Sequence, residues 1–190
     1  PTIFEPINGG AIRNDIAYVG RISREKCVVE LIQVVAKVRE LTGVDIRFRI
    51  AGHIESNVYT DNIRCLAGEN KWISLEGAKI GRDKAIFLSE CKFALHGRRD
   101  EEFGISVTEY LKAGLVPVVP NVGGASEVVG NKVLCYDTYE DACIILERLI
   151  CNKDFYCQCK NYCAIRAQEF NVDSYFRRQE ALIRKIVLHG

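Results

Sequence analysis

Apolar and polar residues follow two alternating periods along most of this chain. Ile16 to Val19 is a short apolar run closed by Gly20, which suits a buried strand. After the polar loop Arg21-Ile-Ser-Arg-Glu-Lys26, the residues Val28, Leu31, Ile32, Val35, Val38 and Leu41 recur at spacings of three and four, and Gly43 follows. That is one face of an amphipathic helix with a glycine stop. Between Asp45 and Ala51 the period changes: Ile46, Phe48 and Ile50 alternate with Arg47 and Arg49, as in a strand with one polar face. The pattern then predicts a helix around Tyr59 to Ala67, a strand at Trp72 to Leu75, a helix at Arg82 to Glu90 and a strand at Lys92 to Leu95. A helix at Ile105 to Ala113, closed by Gly114, precedes an apolar strand at Val116 to Val119. The turn Pro120-Asn-Val-Gly-Gly124 opens a short helix, and Val133 to Tyr136 is a further strand. Thr138-Tyr-Glu-Asp141 reads as a capping box for a helix to about Leu149, and the last forty residues read as two helical pieces broken near Phe170-Asn171.

Six strand candidates separated by helices, several of them apolar throughout, predict a parallel sheet covered on both faces. Right-handed crossovers make that a Rossmann-like doubly wound α/β domain. No Pro/Gly/Ser-rich linker and no repeat divides the chain, so residues 1–190 read as one domain, with a helical tail from about 171 to 190.

Composition narrows the class. A chain of 190 residues can bury a sizeable core. The net charge of +1 gives no electrostatic case for a nucleic-acid partner. No apolar run approaches the ~20 residues that span a bilayer. The first residue is Pro1, with neither Met nor a signal-peptide pattern, which reads as a trimmed or processed piece. Nine cysteines, an odd number and mostly within apolar runs, read as reduced and mostly buried thiols of a cytosolic protein. Among Cys151, Cys157, Cys159 and Cys163 there is no Cys-x-x-Cys pair, and Cys159 with Cys163 has helical spacing. Helix-packing or surface thiols are favoured there over a metal.

Ligands of doubly wound sheets sit beyond the carboxyl ends of the strands, and three loops in those places carry suggestive chemistry. In Gly20-Arg-Ile-Ser-Arg-Glu-Lys26, Gly20 allows a close backbone turn, while Arg21 and Lys26 could clamp a diphosphate. The plain alternative is a solvated basic loop. In Asp100-Glu-Glu-Phe-Gly-Ile-Ser-Val-Thr-Glu109, two carboxylates, Glu101 and Glu109, bracket a glycine turn into a helix. Free N–H groups at a helix start suit phosphate or hydroxyl oxygens, and ionised carboxylates accept from hydroxyls. A phosphorylated sugar or nucleotide sugar has both kinds of group. The plain alternative places Glu109 on a solvent face. The third loop, Asn121-Val-Gly-Gly-Ala-Ser-Glu127, has glycines that would admit another oxyanion or sugar contact.

There is no Gly-x-Gly-x-x-Gly after the first strand, no phosphate-loop Gly-Lys-Ser/Thr and no Gly-x-Ser-x-Gly elbow. Of three histidines, His96 in Leu95-His-Gly97 is the one placed to touch a ligand, with loop shaping as the equal alternative.

Strand-Gly-Arg-x4-Lys, then Glu-x7-Glu around Phe-Gly-Ile, then Gly-Gly-x-x-Glu, in this order and spacing, resembles the retaining family 4 (group 1) GT-B glycosyltransferases. The chain is similar to the carboxyl-terminal, donor-binding half of such enzymes over nearly its whole length. The run Leu95-His-Gly-Arg-Arg-Asp-Glu-Glu-Phe-Gly-Ile105 looks closest to mannosyltransferases that use GDP-mannose. The resemblance implies that Arg21 and Lys26, with Gly20 at the turn, hold the donor diphosphate and steady the leaving group. It implies that Glu101 binds hydroxyls of the transferred sugar and that Glu109 accepts from the ribose. Main-chain N–H groups of Phe103, Gly104 and Ile105 would approach sugar and phosphate, and the base would lie near Gly77 and Ala78. It implies no metal cofactor, and no Asp-x-Asp motif occurs.

One departure is Cys27, which stands where the family usually has glycine after the loop lysine. The resemblance also implies that the acceptor-binding, amino-terminal half is absent from this chain, which alone is expected to bind donor and transfer little or nothing. The expected partners are a nucleoside diphosphate sugar, a glycan or lipid-linked acceptor and that amino-terminal domain, at a cytoplasmic location. The basic pairs Arg177-Arg178 and Arg184-Lys185 offer a peripheral membrane contact at the inner face, or plain solvated charge. Two rivals stay open: a nucleotide-sugar epimerase, which would release altered sugar without an acceptor, and a non-catalytic nucleotide- or glycan-binding module.

Overall fold

The computed structural model describes residues 13–171 together with Asp173, Phe176, Glu180 and Arg184. Six strands form one parallel sheet in the order β3-β2-β1-β4-β5-β6. They are β1 (Arg13–Val19), β2 (Phe48–Ala51), β3 (Ile73–Gly77), β4 (Cys91–Leu95), β5 (Val116–Pro120) and β6 (Cys135–Tyr136). The helices between them are α1 (Val28–Thr42), α2 (Val58–Glu69), α3 (Gly81–Ser89), α4 (Ile105–Lys112), α5 (Gly123–Val129) and α6 (Tyr139–Cys151), and α7 (Lys153–Ala167) follows. The Rossmann-like doubly wound architecture expected from the apolar pattern is therefore the observed one. Most of the predicted tail, and the basic pairs other than Arg184, lie outside the described residues.

Strand order reverses between β1 and β4, the neighbours on either side of the midline. Loops leaving those two strands diverge and open a crevice, which is where doubly wound folds bind ligands. Helix α1 packs against α6, and α4 packs against α5 and α7. The buried face of α1 uses Val28, Leu31, Ile32, Val35 and Val38, as its periodicity predicts, and adds Val34; Leu41, which the same spacing selects, is exposed in the last turn. The core runs along the sheet from Ile50 and Phe48 through Ile16 and Phe93 to Val118.

Three details differ from the pattern-based reading, each for a physical reason. Strand β1 begins at Arg13, ahead of the apolar run, because Asp15 is buried and bonded to Arg47 at 2.6 Å. Strand β2 has no solvated polar face. All four of its residues are buried, and the Arg49 guanidinium bonds Glu76 and Glu90, each at 2.8 Å, above the ring of Phe87. A sheet covered on both faces must pair any charge it carries. Strand β6 is only Cys135–Tyr136, since Lys132–Leu134 wind into a 3-10 turn capped by Asn131.

All nine cysteines are free thiols. Cys91, Cys143, Cys159 and Cys163 are buried, Cys27 and Cys135 half-buried, and Cys65, Cys151 and Cys157 exposed. Cys159 and Cys163 are the two buried residues of α7, as helical spacing suggests. Among the described residues no group of three or more His, Cys, Asp or Glu side chains is placed to hold a metal ion, and no helix is long and apolar enough to cross a membrane.

Candidate functional site

Glycine follows or closes each of the four strands β1, β2, β3 and β4, at Gly20, Gly52, Gly77 and Gly97. Crowding explains two of them. A Cβ on Gly52 would lie 1.8 Å from the Gly20 carbonyl oxygen, and one on Gly97 would lie 2.5 Å from the Lys26 carbonyl oxygen. The loops after β1, β2 and β4 thus touch through bare backbone, which no side chain could permit. Tyr18, buried at the end of β1, donates its hydroxyl to the Arg21 carbonyl at 2.8 Å and sits against Gly20.

Past that turn, Arg24–Lys26 form a single 3-10 turn, and Cys27 takes the left-handed conformation at φ 55° before α1 starts. Cys27 is the one non-glycine residue at positive φ among those described. The Arg21 side chain is exposed. Lys26 turns inward, and its ammonium meets the Glu101 carboxylate at 2.7 Å, with the two side chains 14% and 17% exposed. This contact joins residues 75 positions apart, one from the β1 loop and one from the β4 loop, across the crevice.

Glu101 has a second neighbour. His96, 2% exposed at the end of β4, places Nε2 3.5 Å from the same carboxylate oxygen. The His96 imidazole and the Lys26 ammonium hold the Glu101 carboxyl down to about 2 against partial burial. The loop bearing Glu101 is seated on the third loop. The Gly124 N–H donates to the Glu101 carbonyl, and Cβ atoms on Gly123 or Gly124 would fall 2.7 Å and 2.3 Å from the carbonyls of Glu101 and Glu102. The Gly-Gly turn therefore serves as a support for the carboxylate loop, a role its composition did not reveal.

Helix α4 begins at Ile105 after Gly104, which has φ 60° and no Cβ to meet Gly124. No side chain caps this helix start, so its first N–H groups remain available. Phe103 and Ile105 flank it and are exposed. Glu109, one turn further on, is not on a solvent face: its side chain is 14% exposed and paired with Lys84 of α3 at 2.5 Å. Next to it, fully buried Tyr110 accepts the Val19 N–H at 2.7 Å, tying α4 to the end of β1. Gly77 and Ala78 are exposed at the end of β3, where the Gly77 carbonyl accepts from the Gly52 N–H at 2.9 Å.

The residues singled out from sequence thus fall on one rim of the sheet. Lys26 and Glu101 are in direct contact, Gly104, Ile105 and Glu109 lie on α4, and Gly77 and Ala78 lie along the β3 side. Lys84, Tyr110, Tyr136 and Gly52 escaped sequence reasoning. Tyr110 sits on an apolar helix face and Lys84 in a charged helix, so neither carries a local signal. Chemically the rim offers a cation pair for an anion, uncapped helix N–H groups and two carboxylates for hydroxyls.

Residues 4–163 match the family model described as glycosyl transferases group 1. Compared with curated proteins, the chain has no match. Similar solved structures include the pneumococcal O-GlcNAc transferase GtfA in complex with UDP and GlcNAc, with a TM-score of 0.79 and 15% identity over 98% of this chain and 38% of that one. Sucrose-phosphate synthase from Thermosynechococcus elongatus superposes with a TM-score of 0.76 at 17% identity, over 98% of this chain and 50% of that one. The catalytic domain of cholesterol-alpha-glucosyltransferase from Helicobacter pylori gives 0.67 at 22% identity, over 83% of this chain and 100% of that one. The chain thus spans half or less of the length of the first two.

Proposed function

Because this chain belongs to the glycosyl transferases of group 1, we propose that it is the donor-binding half of a retaining, GT-B-type hexosyltransferase and holds a nucleoside diphosphate sugar at the rim between β1 and β4. The observation that carries this reading is the Lys26–Glu101 contact, which puts a phosphate-binding cation and a hydroxyl-binding carboxylate 2.7 Å apart across the crevice.

In this reading Lys26 and the exposed Arg21 take the diphosphate, one as a point charge and one as a fork. They stabilise the negative charge that grows as the nucleoside diphosphate departs from the front face of the sugar. Glu101 accepts from sugar hydroxyls. The first N–H groups of α4, with Phe103, Gly104 and Ile105 around them, meet sugar and phosphate oxygens, and Glu109 accepts from the ribose hydroxyls. The base lies along Gly77 and Ala78. The positive charge comes from side chains, so donor binding is expected to survive a chelator. The Leu95–Ile105 run favours GDP-mannose as donor, and a glycan or lipid-linked sugar is the acceptor, at the cytoplasmic side of a membrane. Transfer requires an acceptor-binding domain outside this chain, a reading supported by similar structures of which it covers only 38% and 50%.

Calorimetry of this chain against GDP, UDP, GDP-mannose and UDP-glucose tests the assignment. Glu109→Ala should weaken binding of the preferred nucleotide sugar by ~1–3 kcal/mol through a lost charged hydrogen bond. Unchanged affinity in that variant would remove Glu109 from the site, and no binding of any of the four by the wild type would overturn the function.

A further inference from the structure

His96 is pinned and yet unsatisfied. Its N–H donates to the Val118 carbonyl at 3.0 Å, and its carbonyl accepts the Tyr136 hydroxyl at 2.7 Å. The ring is buried, and neither Nδ1 nor Nε2 has a hydrogen-bond partner among the described residues. Leaving a buried polar group unpaired is costly, so folds retain such groups where something else completes them.

The ring does not face empty apolar core. Nε2 stands 3.5 Å from the Glu101 oxygen that Lys26 already holds at 2.7 Å. One carboxylate oxygen therefore has two nitrogen neighbours, and the lysine has the closer place. A diphosphate that draws Lys26 away would leave Glu101, a largely buried carboxylate, without its cation. Closing the His96 gap by roughly 0.6 Å would give an ordinary N–H to oxygen hydrogen bond. The imidazole has no competing partner to give up, and its pinned backbone keeps it in place.

We propose that His96 is a positioning residue that takes over Glu101 when Lys26 turns to the donor diphosphate, keeping that carboxylate ionised and aimed at the sugar hydroxyls. The proposal rests on the donor-site reading and adds an exchange of partners to it. Lys26 serves the phosphates and His96 serves the carboxylate, so one site can bind both ends of the scissile bond without stranding a charge.

Two experiments on this chain test it. Calorimetry compares GDP with GDP-mannose, and UDP with UDP-glucose, for wild type, His96→Phe and His96→Gln, with melting temperatures alongside. The wild type should bind the sugar nucleotide of the preferred pair more tightly than the bare diphosphate. His96→Phe should leave diphosphate affinity within about twofold but cut the extra affinity due to the sugar by about fivefold, the worth of one hydrogen bond. His96→Gln, which can present an N–H to Glu101, should restore most of it. Equal losses for both ligands, an unchanged sugar increment or no rescue by glutamine would each overturn the proposal while leaving the donor site standing. If the wild type binds none of the four, both readings fall. Nitrogen NMR of the wild type needs no variant: the His96 ring resonances should move when the preferred diphosphate alone is added, and unmoved resonances in a saturated sample would also overturn it.

Discussion

Two charge clusters are built into this sheet, and they are finished to different degrees. In the body of the sheet, Arg49 spends its fork on Glu76 and Glu90, both at 2.8 Å, and rests on Phe87. At the rim, Lys26 has one carboxylate, that carboxylate has a second neighbour held off at 3.5 Å, and the ring nitrogens of that neighbour have no hydrogen-bond partner among the described residues. Both clusters are largely out of water. Burial and ion pairing therefore do not mark a site by themselves. What separates the two is a pair of buried ring nitrogens without a hydrogen-bond partner, which the rim has at His96 and the Arg49 cluster lacks.

The sharpest way to break this contrast is to remove the cation from each. Arg49→Met should destabilise the fold by about 3–5 kcal/mol, because Glu76, in a poorly solvated place, is left with only the longer 3.9 Å contact to Lys79. Urea denaturation would show the loss, and nucleotide-sugar affinity of the folded fraction should be unchanged. Lys26→Met should reverse the pattern, with a smaller stability loss and donor binding reduced below detection by calorimetry. If both variants lose mainly stability, the rim pair is structural too.

Next in size is Tyr110→Phe. The variant deprives the Val19 N–H of its acceptor and should cost about 1–3 kcal/mol in denaturant titration.

The acid response of the rim follows from its carboxylate. In the fold the Glu101 carboxyl is held down to about 2, below its ordinary 4.5, so the unfolded chain takes up that proton first. Its contribution is complete above pH 4.5 and is lost as pH falls toward about 2. The melting-temperature gap between wild type and Glu101→Gln should therefore shrink across that window, and a gap that stays constant would show that the pairing does not govern Glu101.

The smallest effect is expected at Cys27. A side chain at φ 55° is strained by about 1 kcal/mol, part of which glycine returns as chain entropy, so Cys27→Gly should raise stability by about 0.5–1 kcal/mol. A lower melting temperature would mean that the thiol packs usefully.

The fold was legible because strands and helices here differ in period. The apolar runs at Ile16 to Val19 and Val116 to Val119, and the three-four spacing of α1, each locate an element without tertiary help. The same logic misjudged Arg49, because alternation reports polarity and cannot tell a solvated charge from a paired one. At the rim, sequence supplied Lys26, Glu101 and Glu109 through motif spacing. It could not supply Lys84 or Tyr110, whose partners lie 25 and 91 residues away. It also could not foresee that Gly123 and Gly124 carry the Glu101 loop, since crowding by a distant backbone leaves no mark on a Gly-Gly turn. His96 reads equally as a loop-shaping or a ligand-touching residue, because nothing in Leu95-His-Gly97 reports that its ring is buried without a partner.

The hydroxyl of Tyr110 works like a draughtsman's gauge. It clamps the helix that carries Glu109 to the residue before Gly20, so the distance between the Gly20 turn and the Glu109 carboxylate is set by one covalent side chain and one 2.7 Å bond. Under the donor reading, base and sugar hang beyond the two jaws, whereas the stretch from ribose to diphosphate must fit between them. Such a rim would sort its ligands by length before it sorted them by identity.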